Sequence, residues 1–279
     1  MKKAELRDHE AENKLNRNGF IQFKNFLTPG EVKELFELYK KLHPVANADK
    51  GMWNSLYDIS REEGLAASEK ILSVLKPKFE KLFVSYYTPV ATFMSKNCNA
   101  NSTCDLHRDF SLLDECEFQY RNIWIPLVST RENNGALYVL PGSNQVFDYE
   151  LPMFTEWPYR HMQAELFKNI ETVDSEAGDL VIYLDKTLHG SHVNYSTDSR
   201  PVVHLGALHP DMDIRFYYHD RPANSVKVYS VPFQFFFEKD FGDQLGKYPL
   251  VKEFAFNPPV ITLPQALAKL KQISLSESA

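Results

Sequence analysis

Apolar positions keep a helical period up to about residue 85 and a strand period beyond it. Gly19-Phe20-Ile21-Gln22-Phe23 alternates and reads as a first strand, after a polar stretch over 1–18 that reads as a loose arm or short helix. Thr28-Pro29-Gly30-Glu31 is a helix start: Thr28 caps, Pro29 suits the first turn and Glu31 completes a capping box. Val32, Leu35, Phe36, Tyr39 and Leu42 then recur at helical spacing, which predicts an amphipathic helix over residues 30–43. Residues 44–61 read as irregular. A second helical pattern runs from Glu62 to Phe83, with Pro77 expected to kink or divide it. Strands are expected over Tyr86–Lys96, 119–128, Ala136–Leu140, Leu180–Leu184 and Val202–Leu208. Turns such as Asn133-Asn134-Gly135 and Pro141-Gly142-Ser143 punctuate them, so the core reads as closed or sandwiched all-β. Residues 150–172 form a long, partly helical insertion of the kind that serves as a lid or binding loop. Val226–Phe237 reads as extended, Pro264–Ile273 as a short helix and 274–279 as a frayed end.

Composition narrows the class. With 43% hydrophobic and 24% charged residues over 279 positions, the chain can bury a sizeable core and is not disordered. A net charge of −6 without a basic run argues against nucleic acid as the main partner. No apolar run reaches spanning length, so no membrane partner is expected. The polar start, Met1-Lys2-Lys3-Ala4-Glu5, does not read as a secretory signal, and a cytoplasmic protein is expected. Cys98, Cys104 and Cys116 are odd in number and lack the spacing of paired zinc knuckles, so they read as free, buried thiols. Oligomeric state is left open.

Candidate chemistry centres on Leu106-His107-Arg108-Asp109-Phe110. In an extended segment, positions i and i+2 share a face, so His107 and Asp109 can bind one metal ion while Arg108 points away. His189, in Leu188-His189-Gly190-Ser191, is the best third ligand. The set would be a two-His-one-carboxylate facial triad, which suits non-haem Fe(II) and leaves open coordination positions. Taken alone, His-X-Asp is a weak signal whose bland reading is a surface histidine beside a turn. Arg200 follows His189 by 11 positions, but Arg215 follows His204 by the same interval, so spacing does not choose between the pairs. The flanking Gly178-Asp179 and Gly190-Ser191 favour His189.

The combination of His-X-Asp, Asn134-Gly135-Ala136-Leu137, Pro141-Gly142-Ser143 and His189-Gly190-Ser191 followed by Arg200 resembles the phytanoyl-CoA dioxygenase family of Fe(II)/2-oxoglutarate oxygenases. The resemblance spans about Gly19 to Leu208 and includes the Gly-Phe strand leading into the Thr-Pro-Gly-Glu cap. It implies a double-stranded β-helix, a jelly-roll or cupin-like core in a mainly β chain with flanking helices. It assigns His107, Asp109 and His189 to iron, and Arg200 to the distal carboxylate of 2-oxoglutarate, which a guanidinium fork can hold bidentately. It places Ser191 on the same carboxylate and Trp124 near the cosubstrate. Asn144 stands where the family often has histidine, a departure expected to bear on the substrate side. The implied cofactors are Fe(II), 2-oxoglutarate and O2, and the implied reaction hydroxylates an unactivated C–H bond with release of succinate and CO2. Because Asp109 is a carboxylate and not a small residue, hydroxylation is expected over halogenation, with desaturation or epimerisation open to the same iron.

One oxygenase domain is expected over residues 1–279. About 1–85 would form an N-terminal strand and helices, about 86–210 the core with the 150–172 insertion, and about 211–279 a C-terminal extension. The substrate is expected to be a small metabolite, an amino-acid derivative or natural-product intermediate, free or carrier-bound. Arg121, Trp53, Asn54, Tyr57 and the insertion are candidates to face it, against a bland reading of packing and surface for each. His204 shares a face with Val202 and is expected to line the inner cavity, as a satisfied core histidine before a ligand. His161, His192, His209 and His219 read as loop or surface residues; the last two, with Arg215 and Arg221, could line a substrate entrance, against a default reading of a solvated charged turn. Two other classes compete. A silent jelly-roll binding module is disfavoured by the intact ligand set, and a cupin-like zinc or manganese hydrolase or isomerase leaves Arg200 and Ser191 without a purpose.

Overall fold

The computed structural model describes residues 2–43, 50–98, 100–237 and 244–275. Residues 44–49, which begin the stretch expected to be irregular, and 276–279 of the expected frayed end lie outside them. Three antiparallel sheets carry the fold. Six strands, β1 (Phe20–Phe23), β2 (Met52–Asn54), β3 (Ala91–Lys96), β5 (Arg121–Pro126), β8 (Leu180–Leu184) and β10 (Arg200–Ala207), pair in the order β1-β8-β5-β10-β3-β2. Facing them, β4 (Cys104–His107), β6 (Leu137–Val139), β7 (Glu171–Val173) and β9 (His189–Ser191) pair as β4-β9-β6-β7. The two sheets form the jelly-roll core. A third sheet, β11 (Arg215–Asp220), β12 (Ser225–Ser230) and β13 (Leu250–Ala255), belongs to the C-terminal extension.

Strand alternation divides the six-stranded sheet into two chemically distinct faces. Its outer face, including Phe93, Ile123, Ile125, Leu180, Ile182, Val203 and Leu205, packs on α1 (His9–Asn18), α2 (Pro29–Leu42) and α3 (Arg61–Leu82) through Leu15, Leu35, Tyr39, Ile71, Leu75 and Phe79. Its inner face meets the four-stranded sheet through Phe20, Trp124, Val181, Tyr183 and Val202 against Leu137, Val139 and Val173. The helices start where their caps dictate. Thr28 and Ser60 both form full capping boxes, with Glu31 and Glu63. Asp8 accepts from the amides of Glu10 and Ala11, and Gly19 ends α1 at φ 81°, a left-handed conformation that costs glycine little. The N-terminal segment is therefore a capped helix. Glu12 joins it to β5: its carboxylate accepts from Arg121 Nη1 at 2.8 Å and Nη2 at 2.7 Å, with both side chains buried. Burial alone would raise the Glu12 carboxyl, but the hydrogen bonds and charge of Arg121 outweigh it and hold the group down to about 2.

Several expectations change here. Pro77 does not divide α3, which runs unbroken from Arg61 to Leu82. The expected strand from Tyr86 starts only at Ala91, and Phe233–Phe237 is a 3-10 turn in place of extended chain. The 150–172 insertion is a packed buttress: Trp157, Tyr159, Met162 and Leu166 close over Tyr138 and Leu140 together with Ala266 and Leu270 of the C-terminal helix Leu263–Leu275. The cysteines are free, but Cys98 and Cys116 are exposed and Cys104 is half-buried, not buried throughout as expected. Among the described residues no helix is long and apolar enough to cross a membrane.

Candidate active site

Antiparallel pairing of β4 with β9 sets His107 opposite His189, with ring centroids 4.4 Å apart. Asp109 lies just past the end of β4, not within it, yet its Oδ1 sits 3.8 Å from the Nε2 of each histidine. The three donor atoms lie within 4.8 Å of one another. Gly190, between His189 and Ser191, has no room for a side chain, since a Cβ there would meet the Cys104 carbonyl and the Tyr138 hydroxyl, both at 2.5 Å.

The hydrogen bonds around this cluster leave the right atoms free. His107 Nδ1 lies 2.7 Å from the Asp105 carbonyl, and His189 Nδ1 lies 2.9 Å from that of Thr187. A carbonyl only accepts, so both Nδ1 atoms carry hydrogen and both Nε2 atoms face Asp109. Asn122 Nδ2 donates to Asp109 Oδ2 at 2.7 Å, leaving Oδ1 toward the histidines. Burial lowers His189 to about 4, so its Nε2 lone pair is available at neutral pH. Burial works the same way on His107, but Cys104 and then Asp109 outweigh it and raise the ring to about 9. A cation entering there therefore displaces a proton.

To one side of the cluster, the inner face of β3 and β10 carries two buried cations. Arg200 pairs in register with Lys96, and both side chains are buried. Lys96 Nζ donates to the carbonyls of Ser191 at 2.9 Å and His192 at 2.6 Å. Arg200 lies over the Trp124 ring at 5.5 Å, and its buried Nε has no hydrogen-bond partner. Burial lowers Arg200 to about 10, and burial together with the charge of Arg200 brings Lys96 down to about 7. Two buried cations without a carboxylate partner are costly unless an anion joins them. The charge of Arg200 and Lys96 suits an anion such as a carboxylate, and the imidazole-carboxylate cluster suits a borderline divalent ion such as Fe(II).

On the other side, a cavity of about 360 Å³ borders Asp109, Asn122, His204, Tyr120 and Asp185. His204 lies outside the metal-donor cluster, with Nε2 3.3 Å from the Tyr183 hydroxyl, and Arg215 pairs with Asp213 on the third sheet. The geometry therefore brings His189 and Arg200 to the site in preference to the rival pair. Of the residues considered for the substrate, Asn54 and Tyr57 line this cavity, as does Met153 from the insertion. Trp53 and Arg121 do not: each points from its strand to the helix-covered face, Trp53 onto Tyr39 and Arg121 onto Glu12. Asn144 is also remote in role, donating to the Asn16 carbonyl of α1 and leaving the substrate side untouched. His219 stands on β11 against Thr155 and not in a loop. Sequence reasoning missed Lys96, Asn122 and Asp185; strand alternation places Lys96 with Met94 and Asn122 with Trp124 on the inner face and would have found the first two.

Residues 15–202 match the family model described as Phytanoyl-CoA dioxygenase (PhyH). The chain belongs to the phytanoyl-CoA dioxygenase family. No curated protein matches the sequence. Among solved structures, this family member is similar to the non-heme alpha ketoglutarate dependent carbocyclase SnoK from nogalamycin biosynthesis, with a TM-score of 0.54 at 18% identity over 74% of this chain and 86% of the other. HygX from Streptomyces hygroscopicus, solved with nickel, 2-oxoglutarate and hygromycin B, gives 0.54 at 14% identity over 73% and 88%. The epimerase SnoN, in complex with Fe3+, alpha ketoglutarate and nogalamycin RO, gives 0.51 at 16% identity over 74% and 85%. At these identities the likeness concerns the fold: a phytanoyl-CoA dioxygenase family jelly roll with its helices on one face.

Proposed function

We propose that this family member is an Fe(II)- and 2-oxoglutarate-dependent dioxygenase that hydroxylates an unactivated C–H bond of a small metabolite. The observation that carries the reading is three metal donors, His107, Asp109 and His189, together with the buried guanidinium of Arg200, whose Nε has no hydrogen-bond partner. When bound, Fe(II) with 2-oxoglutarate and O2 supplies the oxidising power for C–H cleavage, with succinate and CO2 as co-products. The chain supplies the rest. His107, Asp109 and His189 hold the metal, and the Asp105 and Thr187 carbonyls orient the two rings. Arg200, Lys96 and Ser191 take the far carboxylate of 2-oxoglutarate, while Trp124 walls its chamber. The cavity on the Asp109 side holds the substrate and excludes water from the reacting carbon.

The test is an anaerobic titration of metal-free protein with Fe(II), then 2-oxoglutarate, following the visible metal-to-ligand charge-transfer band. The band is expected. Iron binding without the band would remove the cosubstrate assignment, and binding of neither would leave a silent jelly roll. Because structural relatives include an epimerase and a carbocyclase, the product identified by succinate release must then be weighed. A gain of one oxygen atom supports hydroxylation; unchanged mass supports epimerisation.

A further inference from the structure

The cavity beside Asp109 has a charge character that the family name does not suggest. Among the described residues, its walls contain two carboxylates, Asp109 and Asp185, and no lysine or arginine. His204 adds no positive charge at neutral pH, because burial lowers it further from its ordinary value. Asp185 is 5% exposed, and Oδ1 accepts only from the amide of the next residue, Lys186, at 3.0 Å; burial and then the Glu115 carboxylate push its carboxyl up to about 7, so a bound ammonium is what would hold it ionised. Its other oxygen, Oδ2, takes no hydrogen bond from the described residues and is not sealed off among buried, unpartnered atoms. Leaving a buried carboxylate oxygen without a donor costs free energy that a bound donor recovers.

The remaining wall is rich in aromatic rings: Tyr57, Phe110, Tyr120, Phe233 and Phe236. Ring faces attract cations, and a carboxylate set among aromatics is a recurring way to hold an ammonium group. A carboxylate or phosphate in the same place would find no lysine or arginine among the described lining residues. The volume, about 360 Å³, lies at the small end of ligand pockets, which argues against a large carrier-bound group lying wholly inside.

We propose that this cavity selects a small, largely apolar substrate bearing a protonated amine, with Asp185 accepting its N–H and the aromatic wall enclosing the rest. The inference rests on the oxygenase reading for its reacting centre, since Asp109 is what places the bound molecule beside the metal. Asp185 is then a specificity-determining residue, four positions before His189 and held to the site by its own carbonyl, which accepts from the Asp109 amide at 3.2 Å.

The experiment is calorimetric titration of metal-free, full-length protein with three probes of one shape: 2-phenylethylamine, 2-phenylethanol and 3-phenylpropionate. The amine is expected to bind most tightly and the acid most weakly, separated by about tenfold or more, the scale of one charge-assisted hydrogen bond. Asp185→Asn should weaken the amine by about tenfold and leave the alcohol within about twofold. Tyr57→Arg, at a wall position 65% exposed and tolerant of a long polar side chain, should reverse the order of amine and acid whether or not the buried variant folds. Equal or tighter binding of the acid, no measurable binding of the amine, an unchanged amine affinity in a folded Asp185→Asn, or an unchanged order in Tyr57→Arg would each overturn the proposal. Neither iron nor 2-oxoglutarate enters these titrations. Failure here therefore leaves the charge-transfer result standing, and failure of that band leaves the amine preference standing.

Discussion

The two ends of the sandwich interior differ in sign. At one end Arg200 and Lys96 are buried together with no carboxylate against them among the described residues; at the other Asp109 and Asp185 border a cavity with no lysine or arginine among its described walls. Both ends lie on the same inward face of β10, which carries Arg200, Val202 and His204 at alternate positions. The histidine pair stands between. On the reading proposed above, a dicarboxylate and a cationic molecule would each find one end attractive and the other repulsive, which would sort two small reactants before any shape complementarity is used.

The comparison breaks most severely at its midpoint. Asp109→Ala removes a metal donor and the acceptor that Asn122 holds, and should lower iron affinity by more than about 100-fold, beyond the loss typical of a supporting residue. Iron stoichiometry after desalting and succinate release both read it. Arg200→Ala should spare iron but weaken 2-oxoglutarate by about 1.5–3 kcal/mol, read from the titration midpoint of the charge-transfer band. Weakening by Arg215→Ala instead would relocate the cationic end. Asn122→Ala leaves Asp109 free to turn and should cost about tenfold in iron affinity, with the 2-oxoglutarate midpoint unchanged at saturating iron.

The smallest effect is a pH dependence that tests the cationic end alone. Lys96 is held down to about 7, by burial first and by the charge of Arg200 second. A bound carboxylate favours the ammonium form and raises that value, so binding takes up a proton at pH above about 7. Affinity for 2-oxoglutarate should therefore strengthen as pH falls toward about 7, by up to about tenfold per pH unit, and flatten below it. Lys96→Met should abolish the slope, as measured by the same titration across pH.

What the sequence revealed follows from which forces act locally. The α2 start was legible because Thr28, Pro29 and Glu31 write their cap within four residues. The grouping of His107, Asp109 and His189 was legible because their flanking motifs are local, and the family match agrees with the family those motifs and Arg200 suggested. The substrate side was legible only in part: Asn54 and Tyr57 do line the cavity, but the face of a strand residue turns on a register that single positions do not announce. Arg121 and Trp53 were candidates, yet their immediate neighbours Asn122 and Asn54 are the ones that line the cavity. Strand β13 was missed for a different reason: its residues are almost all exposed, so backbone pairing with β12 holds it and no hydrophobic period marks it.

The Arg121–Glu12 pair sets a practical limit on where this protein can be cut. The family match begins at residue 15, so a fragment trimmed to that boundary would keep every motif of the active site. It would also discard Glu12, along with the Ala4 carbonyl that accepts from Arg121 at 2.6 Å. Arg121 would then lose its carboxylate partner, and the core would lose the apolar cover of Ala4, Leu6 and Ala11, which should lower stability. The smallest unit that can be expressed is therefore longer than the smallest unit that can be recognised.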